Sequence, residues 1–425
     1  MPDTDLRASG GRIVEMAPGL EPRPGERVLD ARGALVLPGL IQGHVHLGQT
    51  IFRGLAEDRR LLPWLLERIW PLEAAHDADS AYWSGMLGAA ECLLGGTTTV
   101  QDIGIGPEAD GLLAAIAESG LRAVAGKCLM DVGEGLPSRL AESTARCLEE
   151  TEALAEKWHG AAGGRLRYVL NPRFALSCSH DLMTGVAEIA ARRGLPVHTH
   201  ALEQRAETAE VRRRNDGRDE IELFGDLGLL DGDLRIAHGV WLARRHYRRL
   251  AARRFSVVHC PGANLKLGSG IAKICRVRAA GIPVGIGCDG PPCNNRLDAF
   301  EEVRLAARLQ AVREGPGALS ALDALRLATS EGARALALES EIGSLEIGKA
   351  ADVVVLGLGR PELAVAAGVD PHDRVVYGAG AASVRHVAVG GGVEVEEGRL
   401  QRLDLDRILT EATRAAERVA RRAGL

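Results

Sequence analysis

Three observations predict an α/β fold, specifically a (β/α)8 TIM barrel with a small β-sandwich attached. Apolar runs rich in β-branched residues alternate with helical, Ala/Leu/Arg-rich segments, the alternation repeats eight times, and both ends of the chain depart from it in the same way. Repeated strand–helix alternation is the signature of a parallel barrel. An open doubly wound sheet would share the alternation, but no GxGxxG turn follows the first strand.

In chain order, residues 1–38 contain a glycine turn, "ASGGRIVEM", and short strand-like pieces. The barrel is expected over 39–349. Its strands end at "LIQGHVH" (40–46), "TTTVQD" (97–102), "RAVAGK" (122–127), "RYVLNP" (167–172), "PVHTH" (196–200), "LRIAH" (234–238), "SVVHC" (256–260) and "PVGIGCD" (283–289). Helices such as 80–96 and 181–194 lie between them, each ending in glycine as a helix C-terminus should. Residues 350–401 return to short strands and are expected to complete the small sandwich with 1–38, leaving 402–425 as an Arg/Ala-rich amphipathic helix on the barrel or on a neighbouring subunit.

The C-terminal ends of barrel strands carry catalytic groups. Here they carry His44 and His46, His198 and His200, His238, His259 and Asp289, so six of the 12 histidines fall at or beside strand ends. Residues i and i+2 of a strand share a face, so His44 and His46 project together. Imidazole nitrogen and carboxylate oxygen suit Zn²⁺, with Fe²⁺ or Mn²⁺ as substitutes. His44, His46, His200 and Asp289 would hold one divalent ion and leave a position for water. His198 could take the place of His200. His200 is preferred because Glu203 follows it at i+3, on the first turn leaving the strand. Strand 4 ends in "YVLNPRF", with no lysine or glutamate to bridge a second metal; Lys127, ending strand 3, is the residue to revisit if two ions are present.

Composition narrows the function. Net charge is −5 and spread along the chain, which argues against a nucleic-acid partner. No apolar run approaches the roughly 20 residues of a membrane span, and "MPDTDLRASGG" lacks a signal-peptide layout. Eight cysteines without a CxxC pair read as reduced thiols in a cytoplasmic protein, Cys288 and Cys293 among them as small buried residues.

The segments "PGLIQGHVH", "HALE", "AHGVWL", "VVHCPGANLKLGSGIA" and "GCDGPPCNNRLDAFEEVRLA" resemble the amidohydrolase superfamily, over essentially the whole chain. They are most similar to its aminohydrolase branch, which includes methylthioadenosine/S-adenosylhomocysteine deaminase, 5′-deoxyadenosine deaminase and the triazine hydrolases. The resemblance implies a metal-dependent hydrolase of C–N bonds other than peptide bonds, in cyclic amidines. Its substrate would be an adenine nucleoside deaminated to the inosine analogue and ammonia, or another N-heterocycle such as guanine, 8-oxoguanine, a pterin or an s-triazine. The metal would make hydroxide available at neutral pH. Asp289 would take a proton from that water, Glu203 would protonate the ring nitrogen beside the attacked carbon, and His238 would hydrogen-bond the attacking oxygen. His259 would shape the pocket. The zinc deaminases of the other fold use H-x-E with P-C-x-x-C; this chain has neither.

The same resemblance points to "EDRRLLPWLLERIWPLE" (57–73) as a loop and helix over the metal. Nucleoside-type relatives place there a tryptophan that packs on the substrate and a glutamate nine residues later that accepts from the ribose 2′ and 3′ hydroxyls. Trp64 and Glu73 stand nine apart. The alternative is a surface helix with Glu73 in solvent. After strand 4 the adenosyl-thioether deaminases carry histidine in "PH(A/S)P", where this chain has Arg173 in "NPRFALSCS". Arg173 would meet the ring or a polar 5′ substituent. Members of the branch commonly self-associate, so a homo-oligomer is expected.

Overall fold

The computed structural model describes residues 3–366 and 368–425. Eight parallel strands form the barrel: β1 (Leu40–Val45), β2 (Thr97–Asp102), β3 (Arg122–Ala125), β4 (Leu166–Tyr168), β5 (Val197–Ala201), β6 (Leu234–His238), β7 (Phe255–His259) and β8 (Val284–Ile286). β1 to β4 pair in chain order, as do β5 to β8. Single parallel bridges join the two halves, Leu170 to Val197 and Val45 to Asp289. The second bridge matters for function, because it closes the barrel where His44 and Asp289 meet: the Asp289 N–H donates to the His44 carbonyl at 3.0 Å. Gly287 permits this closure, since a Cβ there would lie 2.4 Å from the His44 carbonyl oxygen.

The strands are covered on both faces, with β1, β2, β6 and β7 buried at every residue, as a sheet enclosed by helices requires. The covering helices begin and end where local chemistry dictates. Ala78–Leu94 starts on a capping box, with Asp77 accepting from the Ser80 N–H at 2.8 Å and Ser80 Oγ accepting from the Asp77 N–H at 2.9 Å. His180–Arg193 is capped by Ser179 and stops at Gly194, in the left-handed region at φ 67°.

Outside the barrel lies a five-stranded antiparallel sheet, ordered Arg399–Leu400, Gly392–Glu396, Val384–Val389, Val353–Gly357, Ala34–Pro38. A hairpin of Asp5–Ser9 and Arg12–Ala17 joins it through a bridge from Arg12 to Ala350. Both ends of the chain therefore build these sheets. Arg122 at the start of β3 ties them to the barrel, its guanidinium donating twice to the Asp352 carboxylate. The last helix, Leu405–Arg422, buries Ile408, Ala412, Ala415 and Val419. It packs against Ala78–Leu94, with Arg418 and Arg422 paired to Asp79 and Asp77 at the start of that helix.

Candidate metal centre

At the C-terminal mouth of the barrel, His44, His46, His200 and Asp289 each offer one ligand atom, and the four atoms lie within 4.8 Å of one another. Asp289 Oδ1 is 3.3 Å from His44 Nε2 and 3.2 Å from His46 Nε2, while His46 Nε2 and His200 Nε2 are 3.1 Å apart. Burial pushes the pKa values of these imidazoles down, to about 3 for His46 and well below the usual value for His200, so the rings are neutral.

Hydrogen-bond partners then assign the tautomers. His200 Nδ1 faces only a carbonyl, that of Arg173 at 2.7 Å, so the proton is on Nδ1 and Nε2 is bare. His44 Nε2, 3.3 Å from Asp289 Oδ1, is buried without a hydrogen-bond partner. Lone pairs and a carboxylate converging in a buried site repel unless a cation or a proton sits among them. The donor set, three nitrogens and one oxygen, therefore fits a divalent ion of the zinc type with room for water.

The other expected residues separate into near and far. His238, at φ 70°, and Asp289, at φ 64°, both occupy the left-handed region. Non-glycine residues held there cost about 1–3 kcal/mol and cluster at active sites. Asn264 Nδ2 donates to His238 Nδ1 at 3.0 Å, which puts the ring proton on Nε2, 3.6 Å from Glu203 Oε2 and 3.8 Å from Asp289 Oδ2. Glu203 is fully buried. Burial first, then the charge of Asp289, pushes its carboxyl up to about 8 against donation from Ser269 Oγ at 2.8 Å. Both effects favour the protonated carboxyl. His259 is buried, and neither of its ring nitrogens has a partner.

A cleft opens above this cluster, with Trp64, Leu61, Leu65, Phe174 and Leu267 as its apolar wall and Arg173 as a polar one. The segment after β1 supplies most of that wall. It coils as Leu61–Trp64, widens to a π-helical turn at Leu65–Ile69 and continues as Trp70–Ala74. Such turns recur at functional sites.

Glu73 is buried rather than solvated, but it stands behind the cavity wall. Gln49 Nε2 donates to one of its oxygens at 2.8 Å and Arg173 Nη1 to the other at 2.7 Å. Arg173 is what faces the cavity, so a diol reaching Glu73 must use the lone pairs those two donors leave.

Lys127 takes no part in this site: its ammonium is buried between Glu142 and Glu150, at 2.7 and 2.5 Å. Cys288 and Cys293 are buried thiols. Sequence reasoning missed Asn264, Ser269 and Gln49, polar residues in "PGANLKLGSG" and "HLGQT" whose partners are far along the chain.

A family model described as the amidohydrolase family matches residues 35–393. The chain belongs to the amidohydrolase family. It is a hydrolase acting on C–N bonds. It is 38% identical over 419 residues to a 5-methylthioadenosine/S-adenosylhomocysteine deaminase of Desulforudis audaxviator, covering 98% of this chain and 94% of that one. A 5′-deoxyadenosine deaminase of Methanothermobacter thermautotrophicus is 35% identical, with 95% and 92% covered. Among solved structures, an adenosine deaminase from Xanthomonas campestris with bound zinc superposes with a TM-score of 0.88 at 31% identity, covering 99% of this chain and 94% of that one.

Proposed function

We propose that the chain is a metal-dependent deaminase of an adenine nucleoside, taking 5′-deoxyadenosine, methylthioadenosine, S-adenosylhomocysteine or adenosine to the inosine analogue and ammonia. One divalent ion, zinc in preference to iron, would be held by His44, His46, His200 and Asp289. The relatives named above, which act on such nucleosides by name, support the substrate class. The observation that carries the reading is a buried four-ligand cluster with the Glu203 carboxyl, raised by burial, beside it at the floor of a cleft walled by Trp64, Leu61, Leu65, Phe174 and Leu267.

A bound divalent ion supplies hydroxide at neutral pH by lowering the pKa of water from about 15.7 toward about 7. The chain's residues would do the rest. Asp289, with Oδ2 turned toward His238 Nε2, accepts the proton lost by the water. His238 donates from Nε2 to the attacking oxygen as the ring carbon becomes tetrahedral. Glu203 gives its proton to the adjacent ring nitrogen, so negative charge does not build up on the purine. Trp64 packs on the base, and Glu73 accepts from the ribose hydroxyls, with Arg173 pairing to Glu73 and meeting the ring or a polar 5′ substituent. Asp289 would return its proton to the departing amino group, and the adduct's hydroxyl proton would pass to the Glu203 carboxylate as ammonia leaves and the carbonyl forms.

The test is ammonia release, together with the adenine-to-hypoxanthine ultraviolet change, across 5′-modified adenosines and free bases. The panel is run on the wild type and on Glu73→Gln. Losing a charge-assisted acceptor costs about 1.5–3 kcal/mol, so KM for the nucleosides should rise roughly 10- to 100-fold, with free bases unaffected. Equal effects on nucleosides and bases would remove the nucleoside reading.

A further inference from the structure

The strand-5 pair "HTH" places His198 two residues before His200, on the same face and one layer deeper in the barrel. His198 is fully buried, yet it contributes no atom to the four-ligand cluster. Its two nitrogens are both engaged: Nδ1 lies 3.1 Å from the Arg235 carbonyl, and Nε2 lies 2.8 Å from His44 Nδ1.

A carbonyl can only accept, so the His198 proton sits on Nδ1 and its Nε2 is an acceptor. The His44 proton must then sit on Nδ1 to meet that acceptor, which leaves His44 Nε2 bare and turned to Asp289. We propose that His198 is a positioning residue that locks His44 in the tautomer able to bind the metal. The proposal rests on the one-ion reading above.

The lock is anchored from below. The Arg235 side chain is held by Asp233, at 2.8 Å from Nη2 to Oδ2, and donates from Nη1 to Gln101 Oε1 at 2.8 Å. Gln101 Nε2 in turn donates to the Gly43 carbonyl at 3.0 Å, beside His44 itself. Hydrogen bonds thus run from β1 through β5 and β6 to β2 and return to β1 one residue away. His200 reaches the same bare-Nε2 tautomer directly, through the Arg173 carbonyl. Two ligands on different strands are therefore set by backbone carbonyls, one of them through an intermediary imidazole. Partners behind metal-ligating histidines fix tautomer and ring orientation, and losing one weakens metal affinity roughly 10- to 100-fold.

The experiment measures zinc affinity of the full, metal-stripped chain by competition with a chromogenic chelator, in the wild type, His198→Phe and His198→Gln. Phenylalanine keeps a flat ring without an acceptor, whereas glutamine keeps an acceptor oxygen. The phenylalanine variant should bind zinc roughly 10- to 100-fold more weakly, with the glutamine variant recovering to within about threefold of wild type. A phenylalanine variant matching wild type, or a glutamine variant as weak as phenylalanine, would overturn the proposal. Should the variants fail to fold, nitrogen-15 spectra of histidine-labelled, metal-free wild type decide it: protonation of His44 at Nδ1 is expected, and protonation at Nε2 would refute the lock. A wild-type chain that takes up no zinc sinks the metal reading instead, and the tautomer measurement, made without metal, keeps the two failures apart.

Discussion

Among the described residues, two groups of histidine and carboxylate pack closely enough to hold a cation: His44, His46, His200 and Asp289 at the barrel mouth, and Asp219, Glu222 and His246 on the flank. Ligand-type atoms lie within 4.8 Å of one another in both. The difference lies in what already satisfies them. In the flank group, Asp219 caps the helix Glu220–Asp226, accepting from the Glu222 N–H, while the Glu222 side chain accepts from the Asp219 N–H. His246 Nε2 donates to Asp219 at 2.9 Å, and Arg245 and Arg212 lie against the same carboxylate. That group carries its own cations and serves structure. At the mouth no arginine or lysine among the described residues pairs with Asp289, and three imidazole nitrogens converge on its carboxylate instead. What separates the two groups is whether protein cations already balance the carboxylate, rather than residue types.

Substitutions can break or sharpen this contrast. The largest effect is expected from Asp289→Asn, which should abolish zinc retention and lower kcat/KM on the order of a thousandfold or more, read by metal analysis and ammonia release. Glu203→Gln should keep its zinc yet lower kcat about 10²- to 10⁴-fold, because it removes the proton donor and leaves the ligands alone. Zinc loss in that variant would place Glu203 among the ligands.

The smallest effect belongs to the flank. Asp219→Ala should leave zinc and kcat unchanged and cost about 1–2 kcal/mol in denaturant unfolding, through the lost cap and its partners. Burial opposes ionisation of Asp219, but His246 and the neighbouring donors bring its pKa from 3.8 down to about 2. A carboxyl lowered on folding binds fewer protons in the folded state. Its contribution is therefore full above about pH 4 and is lost as pH falls through about 2. Wild type should lose more stability than Asp219→Ala across that window, and parallel acid profiles would contradict the assignment.

Much of this was legible in the sequence, for identifiable reasons. Barrel strands are short apolar runs, and candidate site residues at their C-terminal ends stand out as polar residues where an apolar run stops; His44, His46, His238 and Asp289 all do. Depth within the barrel was not legible. His198 and His200 share a face, and only the barrel's curvature decides which reaches His46 and which backs onto His44. Contacts between distant segments were equally hidden, as in the Glu73–Arg173 ion pair, which put arginine rather than glutamate at the cavity wall. The left-handed backbone of His238 and Asp289 gave no signal either, because neither residue is a glycine.

The most direct test is activity against zinc added to the chelator-treated chain, with adenosine and 5′-deoxyadenosine as substrates. Deamination should be absent at first, rise in proportion to zinc and level off at one equivalent per chain. Full activity with less than a tenth of an ion per chain, or saturation only at two equivalents, would contradict the single-cation site.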